Sequence, residues 1–170
     1  MITHKKINKL YEWGLDIDYP LKKERIVSSF MNCDVKICYF KYGKNKKFYP
    51  NKSLSKPIID IIKDDNIYSF SYIKYPPNFI ANPHRDYNPY DKKFTRIQIP
   101  LRVPSGDKCY VENIDGTNRI YWKSGKMEIF NVEELHQGAN HSNQYMEFLY
   151  VDINPETVIV LLINDFHKFV

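Results

Sequence analysis

Three segments in the first third of the chain carry apolar residues at helical spacing. They span residues 3–15, 20–32 and 55–65. In the first segment Ile7, Leu10 and Tyr11 fall on one side of a helix, and in the third Ser55 and Pro57 are typical of a helix start. The middle segment follows Pro20, and its apolar face consists of Leu21, Ile26, Val27 and Phe30. The pattern predicts three helices.

Strand-like runs dominate the rest of the chain. Several alternate apolar and polar residues, and short gaps rich in Gly, Pro, Asn or Asp separate them. The runs cover residues 35–40, 66–75, 94–103, 108–113, 118–122, 126–131, 145–153 and 157–163. They predict a mainly β sandwich or jelly roll with helices packed outside one sheet. We predict one domain over residues 1–170, with a mainly helical cover and a lysine-rich loop over about 1–66 and a jelly-roll core over about 67–165.

Composition agrees with a globular, strand-rich protein. Hydrophobic residues make up 43% of the chain, with 14 Tyr and 10 Phe, which disfavours disordered, collagen-like and coiled-coil classes. No apolar run approaches the roughly 20 residues of a spanning helix, and the first residues lack a signal-peptide pattern. We therefore expect a soluble, cytoplasmic protein with no membrane partner. Cys33, Cys38 and Cys109 match no disulfide framework or zinc spacing, so burial as small apolar residues is the favoured role.

A basic stretch with interleaved aromatic residues spans positions 41–56, in a chain of formal net charge +5. Such a stretch fits either a contact to nucleic acid or phosphate, or a solvated lysine-rich loop. No nucleic-acid motif accompanies it, so we favour the solvated loop and expect no nucleic-acid partner. The positive charge would also help to attract a small anionic substrate.

The candidate chemistry begins with His84 and Asp86, which stand two apart after a Pro-rich stretch. Residues two apart on an extended segment point to the same side, so both side chains can reach one ion. His136 follows far downstream, and two histidines with one carboxylate are the ligand set of non-haem Fe(II) oxygenases. The alternative is a surface loop of polar residues, because His4, His141 and His167 show that histidines also occur here outside any ligand pattern. The pattern predicts a metal site at His84, Asp86 and His136.

Motifs around these residues resemble the aspartyl/asparaginyl β-hydroxylase family, which includes bacterial free-proline hydroxylases. The matching stretches, in order, are "YPPN", "PHRD", "TRIQIPL", "YWKSGKMEIFNVEELH" and "EFLYVDINPE". They extend from about Tyr75 to Glu156. The resemblance implies a double-stranded β-helix of cupin-like form and an Fe(II)- and 2-oxoglutarate-dependent dioxygenase. The catalytic iron ligands would be His84, Asp86 and His136, and Arg96 would help to hold 2-oxoglutarate.

Three further positions bear on the cosubstrate. On a strand through "TRIQIPLR", Arg96, Gln98 and Arg102 share one face, and a guanidinium fork matches a carboxylate. Gln98 replaces the family's histidine after that arginine. Met146 stands where the family carries a second arginine for the far carboxylate of 2-oxoglutarate, and a thioether cannot neutralise a carboxylate. Either Arg96 or Arg102 takes over that role, or the cosubstrate differs or is absent.

These observations leave three functional hypotheses. The leading hypothesis is an Fe(II)/2-oxoglutarate-dependent hydroxylase that uses O₂, releases succinate and CO₂, and acts on an amino acid or an amino-acid side chain. Retention of Asp86 favours hydroxylation, because related halogenases replace the carboxylate. The second is a cupin-like metalloenzyme that binds its substrate without 2-oxoglutarate. The third is a non-catalytic jelly-roll binding module. Trp122 and the tyrosines would line the pocket or fill the core.

Overall fold

The computed structural model describes residues 2–17, 25–27, 35–43, 45–49 and 53–157. Two helices and eleven strands are assigned within these ranges. In chain order they are α1 (His4–Asp16), β1 (Arg25–Val27), β2 (Val35–Tyr42), β3 (Lys47–Phe48), α2 (Lys56–Ile62), β4 (Ile67–Tyr75), β5 (Phe79–Ile80), β6 (Thr95–Arg102), β7 (Cys109–Asn113), β8 (Ile120–Tyr121), β9 (Glu128–Phe130), β10 (His136–Asn140) and β11 (Met146–Ile153).

The strands form two antiparallel sheets. The large sheet has the order β1-β2-β4-β11-β6-β9, with β3 also paired to β2, and the small sheet has the order β5-β10-β7-β8. Neighbours in each sheet are mostly far apart in the chain, which is the connectivity of a jelly roll. The two sheets face each other without closing into a continuous barrel. This architecture confirms the predicted mainly β, jelly-roll, cupin-like class.

The two helices form for local reasons and cover one side of the large sheet. Thr3 caps α1 by accepting a hydrogen bond from the Lys6 backbone N–H at 3.3 Å, and Pro57 lies in the first turn of α2. Gly14 of α1 lies directly against Leu101 and Leu149 of the sheet. The predicted helices over 3–15 and 55–65 are confirmed. No helix among the described residues combines the length and apolarity needed to cross a membrane.

Alternation along β11 explains why the molecule has two cores. Leu149, Val151 and Ile153 point outward and pack with the helices, whereas Phe148 and Tyr150 point inward toward the small sheet. All eight residues of β11 are buried, because the strand lies centrally in a sheet that is covered on both sides. The inward layer is the one that carries the candidate chemistry.

Three sequence-based assignments differ from the structure. Arg25–Val27 forms strand β1, paired with β2, so the helix predicted over 20–32 is wrong at these residues, and the rest of it lies outside the described residues. Edge pairing with β2 outweighed a helical spacing that β-branched Ile26 and Val27 support only weakly. The strand β10 was missed because "HQGAN" lacks apolar alternation. The strand predicted over 157–163 lies outside the described residues except for Thr157.

The part of the chain before residue 67 contributes more than a cover. Strands β2 and β3 lie there, and β2 pairs with β4 over a long register. The large sheet therefore includes strands from both sides of residue 66, and the division of the domain at about that residue stays a prediction. Lys41, within the stretch predicted to be solvated, is buried and only 3% exposed. Cys38 and Cys109 are buried as predicted, and Cys33 lies outside the described residues.

Candidate metal centre

A cavity of about 380 Å³ lies between the inner faces of the two sheets. Aromatic rings, small side chains and aliphatic side chains form most of its wall, and a few charged side chains cluster at one end. The aromatic and polar lining residues include Tyr39, Tyr42, Ser69, Ser71, Tyr75, Phe79, Tyr90, Gln98, Trp122 and Tyr150. The charged end contains His84, Asp86 and His136.

These three side chains converge on one point. One potential ligand atom from each lies within 4.8 Å of the other two. Asp86 Oδ1 is 3.3 Å from His84 Nε2 and 3.8 Å from His136 Nε2. The two imidazole rings are neighbours, with centroids 4.5 Å apart. The structure therefore brings together the three residues that the sequence singled out for metal binding.

Backbone pairing places the three residues. His84 and His136 exchange both backbone hydrogen bonds, at 2.9 Å each, as an isolated antiparallel bridge. The Asp86 backbone N–H donates to the Val132 carbonyl at 2.9 Å, which extends the same contact. His136 is the first residue of β10, not a loop residue after the preceding strand. Because His84 and Asp86 are two apart on an extended segment, both side chains face His136.

Carbonyl oxygens orient both imidazole rings. His84 Nδ1 lies 2.6 Å from the Asn82 carbonyl oxygen, and His136 Nδ1 lies 2.8 Å from the Glu134 carbonyl oxygen. A carbonyl only accepts, so each Nδ1 carries a proton, and Nε2 is the ring nitrogen that faces Asp86. A protonated His84 donates from Nε2 to Asp86, whereas a neutral ring offers its Nε2 lone pair to a metal. Metal-binding histidines are commonly held in this way.

Electrostatics keep Asp86 ionised. Burial opposes its ionisation, but Arg96 and the two imidazoles outweigh burial and hold the pKa of Asp86 well below its usual range. The hydrogen bond with Asp86 raises the pKa of His84. Burial lowers the pKa of His136, which favours the neutral ring that a metal requires.

Arg96 points into the cavity, as predicted, and its guanidinium contacts two carboxylates. Nε and Nη2 donate to the two oxygens of Asp152 at 2.7 and 3.0 Å, and Nη1 donates to Asp86 Oδ2. Tyr90 donates its hydroxyl to Asp152 Oδ2 at 2.8 Å. The guanidinium also lies over the Tyr150 ring, 4.8 Å from its centroid.

The other predicted cosubstrate residues lie in different places. Gln98 lines the cavity and accepts a hydrogen bond from Trp122 Nε1 at 2.7 Å. Arg102 does not line it: the register with β11 shifts between Glu147 and Phe148, which moves Arg102 to the helix-covered face. There Arg102 donates to Glu147 and to the Leu15 carbonyl. The prediction that Arg102 shares the face of Arg96 is therefore wrong, because a β-bulge inverts the alternation.

Met146, at the position of the family's second arginine, is fully buried in the inner core and is not among the residues that line the cavity. No basic side chain therefore reaches the cavity from that position.

Asp152 and a pair of tyrosines are parts of the site that the sequence did not identify. Tyr75 and Tyr150 share a hydrogen bond at 2.9 Å between their hydroxyl oxygens. Burial raises the pKa of both, to about 12 for Tyr150, so both phenols stay protonated. The signal for Asp152 was an acidic residue at the end of the apolar run from Phe148 to Val151, two positions after an inward tyrosine.

The donor set fits a divalent transition metal. Bonds of about 2.1 Å place neighbouring ligands roughly 3 Å apart, close to the separations of Asp86 Oδ1 from the two Nε2 atoms. Two imidazoles and one carboxylate on one side leave the other positions open to a ligand from the cavity, as in non-haem Fe(II) oxygenases.

Solved structures with the same architecture support the fold assignment. An oxidoreductase of the 2OG-Fe(II) oxygenase family from Burkholderia pseudomallei superposes with a TM-score of 0.56 at 9% identity, over 88% of this chain and 79% of that chain. A predicted oxalate decarboxylase from Thermotoga maritima superposes with a TM-score of 0.50 at 16% identity, over 81% of this chain and 97% of that chain. A cupin-2 domain from Rhodospirillum rubrum gives a TM-score of 0.50 at 10% identity, over 81% and 73%. The chain has a cupin fold.

Identities this low show the fold and do not transfer an activity. No protein family model matches the chain, and no curated protein matches it. The comparisons thus do not bear on the resemblance to aspartyl/asparaginyl β-hydroxylases, which stays a prediction, as does the cytoplasmic location.

Proposed function

We propose that this protein is a non-haem Fe(II)-dependent oxygenase that acts on a small molecule held in the cavity between its sheets. The observation that carries the proposal is the convergence of His84 Nε2, Asp86 Oδ1 and His136 Nε2 at the charged end of that cavity. Iron(II) bound by such a set activates O₂ for oxidation of a C–H bond. The resemblance in sequence points to an amino acid or an amino-acid side chain as the substrate.

The surroundings of the three ligands suit this role. Tyr75 and Tyr150 remain neutral hydroxyl groups because burial raises their pKa, so they orient a ligand by hydrogen bonding without adding charge. Aromatic and aliphatic side chains form most of the remaining wall and make the surroundings of the candidate ligands largely apolar.

The balance of charge favours direct binding of the substrate to the metal without 2-oxoglutarate. Taken with a divalent ion, Asp86, Asp152 and Arg96 leave one net positive charge beside the ion, without the charge of the exposed Arg85 that also lines the cavity. A ligand with a single acidic group neutralises it. The two carboxylates of 2-oxoglutarate would overcompensate it unless Arg85 neutralised the second one, and a buried unpaired carboxylate is unfavourable. Arg96 already contacts two carboxylates.

Dependence on 2-oxoglutarate is the second candidate, and Arg85 favours it. This exposed arginine lines the mouth of the cavity and donates to the Glu133 carbonyl at 2.9 Å. Among the described lining residues, Arg85 is the cation that contacts no carboxylate. It is therefore the place where the far carboxylate of 2-oxoglutarate would find a partner.

The deciding experiment is anaerobic titration of the purified protein with Fe(II), followed by 2-oxoglutarate, under visible absorption spectroscopy. Specific uptake of iron that is lost in His136→Ala and kept in His141→Ala supports the metal centre. His141 is the matched control, because it is an exposed histidine that contacts Tyr110 away from the site. No difference between these variants would refute the proposal and favour a non-catalytic module.

The second titration separates the two candidates. A weak charge-transfer band on adding 2-oxoglutarate, together with succinate release that Arg85→Gln reduces, would establish dependence on 2-oxoglutarate. Iron binding without that band, and O₂ consumption with monocarboxylic amino acids or phenols alone, would establish direct substrate binding.

A further inference from the structure

A line of three charged side chains crosses the inner face of the large sheet and ends at the candidate metal centre. It runs from Asp152 on β11 through Arg96 on β6 to Asp86. Asp152 and Arg96 are cross-strand partners in the β6–β11 ladder, so the backbone register sets their separation. Side chains directly opposite each other on one face are close enough for contact.

Arg96 and Asp152 are each held in place by several contacts. The Arg96 side chain is 15% exposed, and the Asp152 side chain is 4% exposed. Asp152 accepts from Nε and Nη2 of Arg96 and from the Tyr90 hydroxyl. Arg96 is also stacked on Tyr150. The planar guanidinium therefore has one orientation, in which Nη1 is directed at Asp86.

The two oxygens of Asp86 have different partners. Oδ1 faces the Nε2 atoms of His84 and His136, at 3.3 and 3.8 Å, whereas Oδ2 accepts from Arg96 Nη1. A carboxylate whose second oxygen is bound to an arginine offers only its first oxygen to a metal.

We propose that Arg96, held by Asp152, is a positioning residue that fixes Asp86 as a single-oxygen ligand. This inference rests on the proposed metal centre, and it gives Arg96 a role other than the cosubstrate binding that the sequence suggested. A single-oxygen Asp86 leaves three positions of a six-coordinate ion open, whereas binding through both oxygens would leave two. The pair thereby determines how many ligands from the cavity the ion accepts.

The test uses a change that keeps the net charge of the site. The double variant Arg96→Gln/Asp152→Asn removes one positive and one negative charge, so a loss of metal affinity reports lost orientation of Asp86 rather than lost charge. The matched control is Arg102→Gln/Glu147→Gln, which removes an equivalent arginine–carboxylate pair from the same two strands on the helix-covered face.

Binding of Co(II) is measured by calorimetry, and the visible spectrum of the Co(II)-loaded protein reports its coordination. We expect the double variant to bind Co(II) about 10–100-fold more weakly than the wild type, the range typical for partners of metal ligands. We also expect its spectrum to change. The control should match the wild type in both measurements. Near-UV circular dichroism of the metal-free proteins confirms that each is folded.

If the double variant does not fold, Arg96→Lys replaces it. A lysine keeps the charge and reaches one carboxylate but lacks the fork that holds both, so we expect about a tenfold loss of affinity with a changed spectrum. An affinity and spectrum equal to those of the wild type, in either variant, would overturn the positioning role and leave the metal centre intact. A wild type that binds neither Fe(II) nor Co(II) would overturn both proposals.

Discussion

The buried side chain of Lys41 connects the large sheet to the end of helix α2, and replacing it tests that contact. It is 3% exposed on β2, and its Nζ donates to the carbonyl oxygens of Ile62 and Asp64, at 2.8 and 3.0 Å, at the end of α2. The Ile62 carbonyl belongs to the last turn of the helix, where carbonyls lack a partner within the helix. The Asp64 carbonyl, just beyond the helix, also accepts from the Ile67 backbone N–H at 3.0 Å. The Lys41→Met change keeps the length of the side chain and removes both the charge and the donor.

The expected effect depends on pH. Burial, and after it the nearby Lys46 ammonium, lowers the pKa of Lys41 to about 8, whereas an unfolded chain titrates lysine near its ordinary value of about 10.4. Between these values the unfolded state binds more protons, so the free energy of unfolding rises with pH. From pH 7 to pH 9.5 this one group raises it by about 2 kcal/mol.

The assay is urea denaturation at pH 7 and pH 9.5, followed by far-UV circular dichroism under reducing conditions. We expect the difference in unfolding free energy between wild type and Lys41→Met to grow by about 2 kcal/mol in favour of the wild type. Groups such as Cys109, whose pKa burial raises to about 11, titrate in both proteins and cancel. Lys93→Met, at an exposed lysine, should show no such change. A difference that stays constant within about 0.5 kcal/mol would refute the burial and capping of Lys41.

Three further outcomes are expected. Gly14→Ala should destabilise the protein by about 1–3 kcal/mol in urea denaturation, because the added Cβ would lie 2.6 Å from Leu101 and 2.9 Å from Leu149; a gain in stability, as helix propensity alone predicts, would contradict the packing. Co(II) at about 100 times its dissociation constant should raise the melting temperature by about 5–10 °C in calorimetry, and a rise that persists in His136→Ala would place the ion elsewhere. Cys109 should resist alkylation at pH 8 until the protein is unfolded, as mass spectrometry of its peptide would show, because burial raises its pKa to about 11; rapid labelling of the native protein would contradict this.

Local patterns predicted much of the fold. The apolar run within residues 145–153 predicted a strand, which the structure shows to be buried on both faces, and Thr3 stands at the cap of a helix that begins where the apolar spacing does. These features depend on neighbours within a few residues, which a sequence displays directly. The strand β10 was missed because its buried residues are small or polar and its pairing partners are distant in the chain.

The candidate site likewise has residues that the sequence predicted and contacts that it did not. Residue type and spacing, together with the resemblance of the flanking motifs, selected His84, Asp86 and His136 as candidate ligands, because metal chemistry restricts which side chains can serve. The partners of Arg96 were not predictable, since Asp152 comes to it only through the pairing of β6 with β11.

The sequence alone thus predicted most of the helices and strands, though not β1 or β10, and it selected the candidate metal ligands, since propensity, periodicity and donor type are properties of short segments. The tertiary structure alone decided on which face of the sheet the charged side chains lie and which partners they contact. A one-residue register shift places Arg102 on the helix-covered face of the large sheet. A cross-strand pairing places Arg96 between Asp152 and Asp86. Both depend on contacts between segments far apart in the chain, and a slip of one residue in a strand exchanges its two faces.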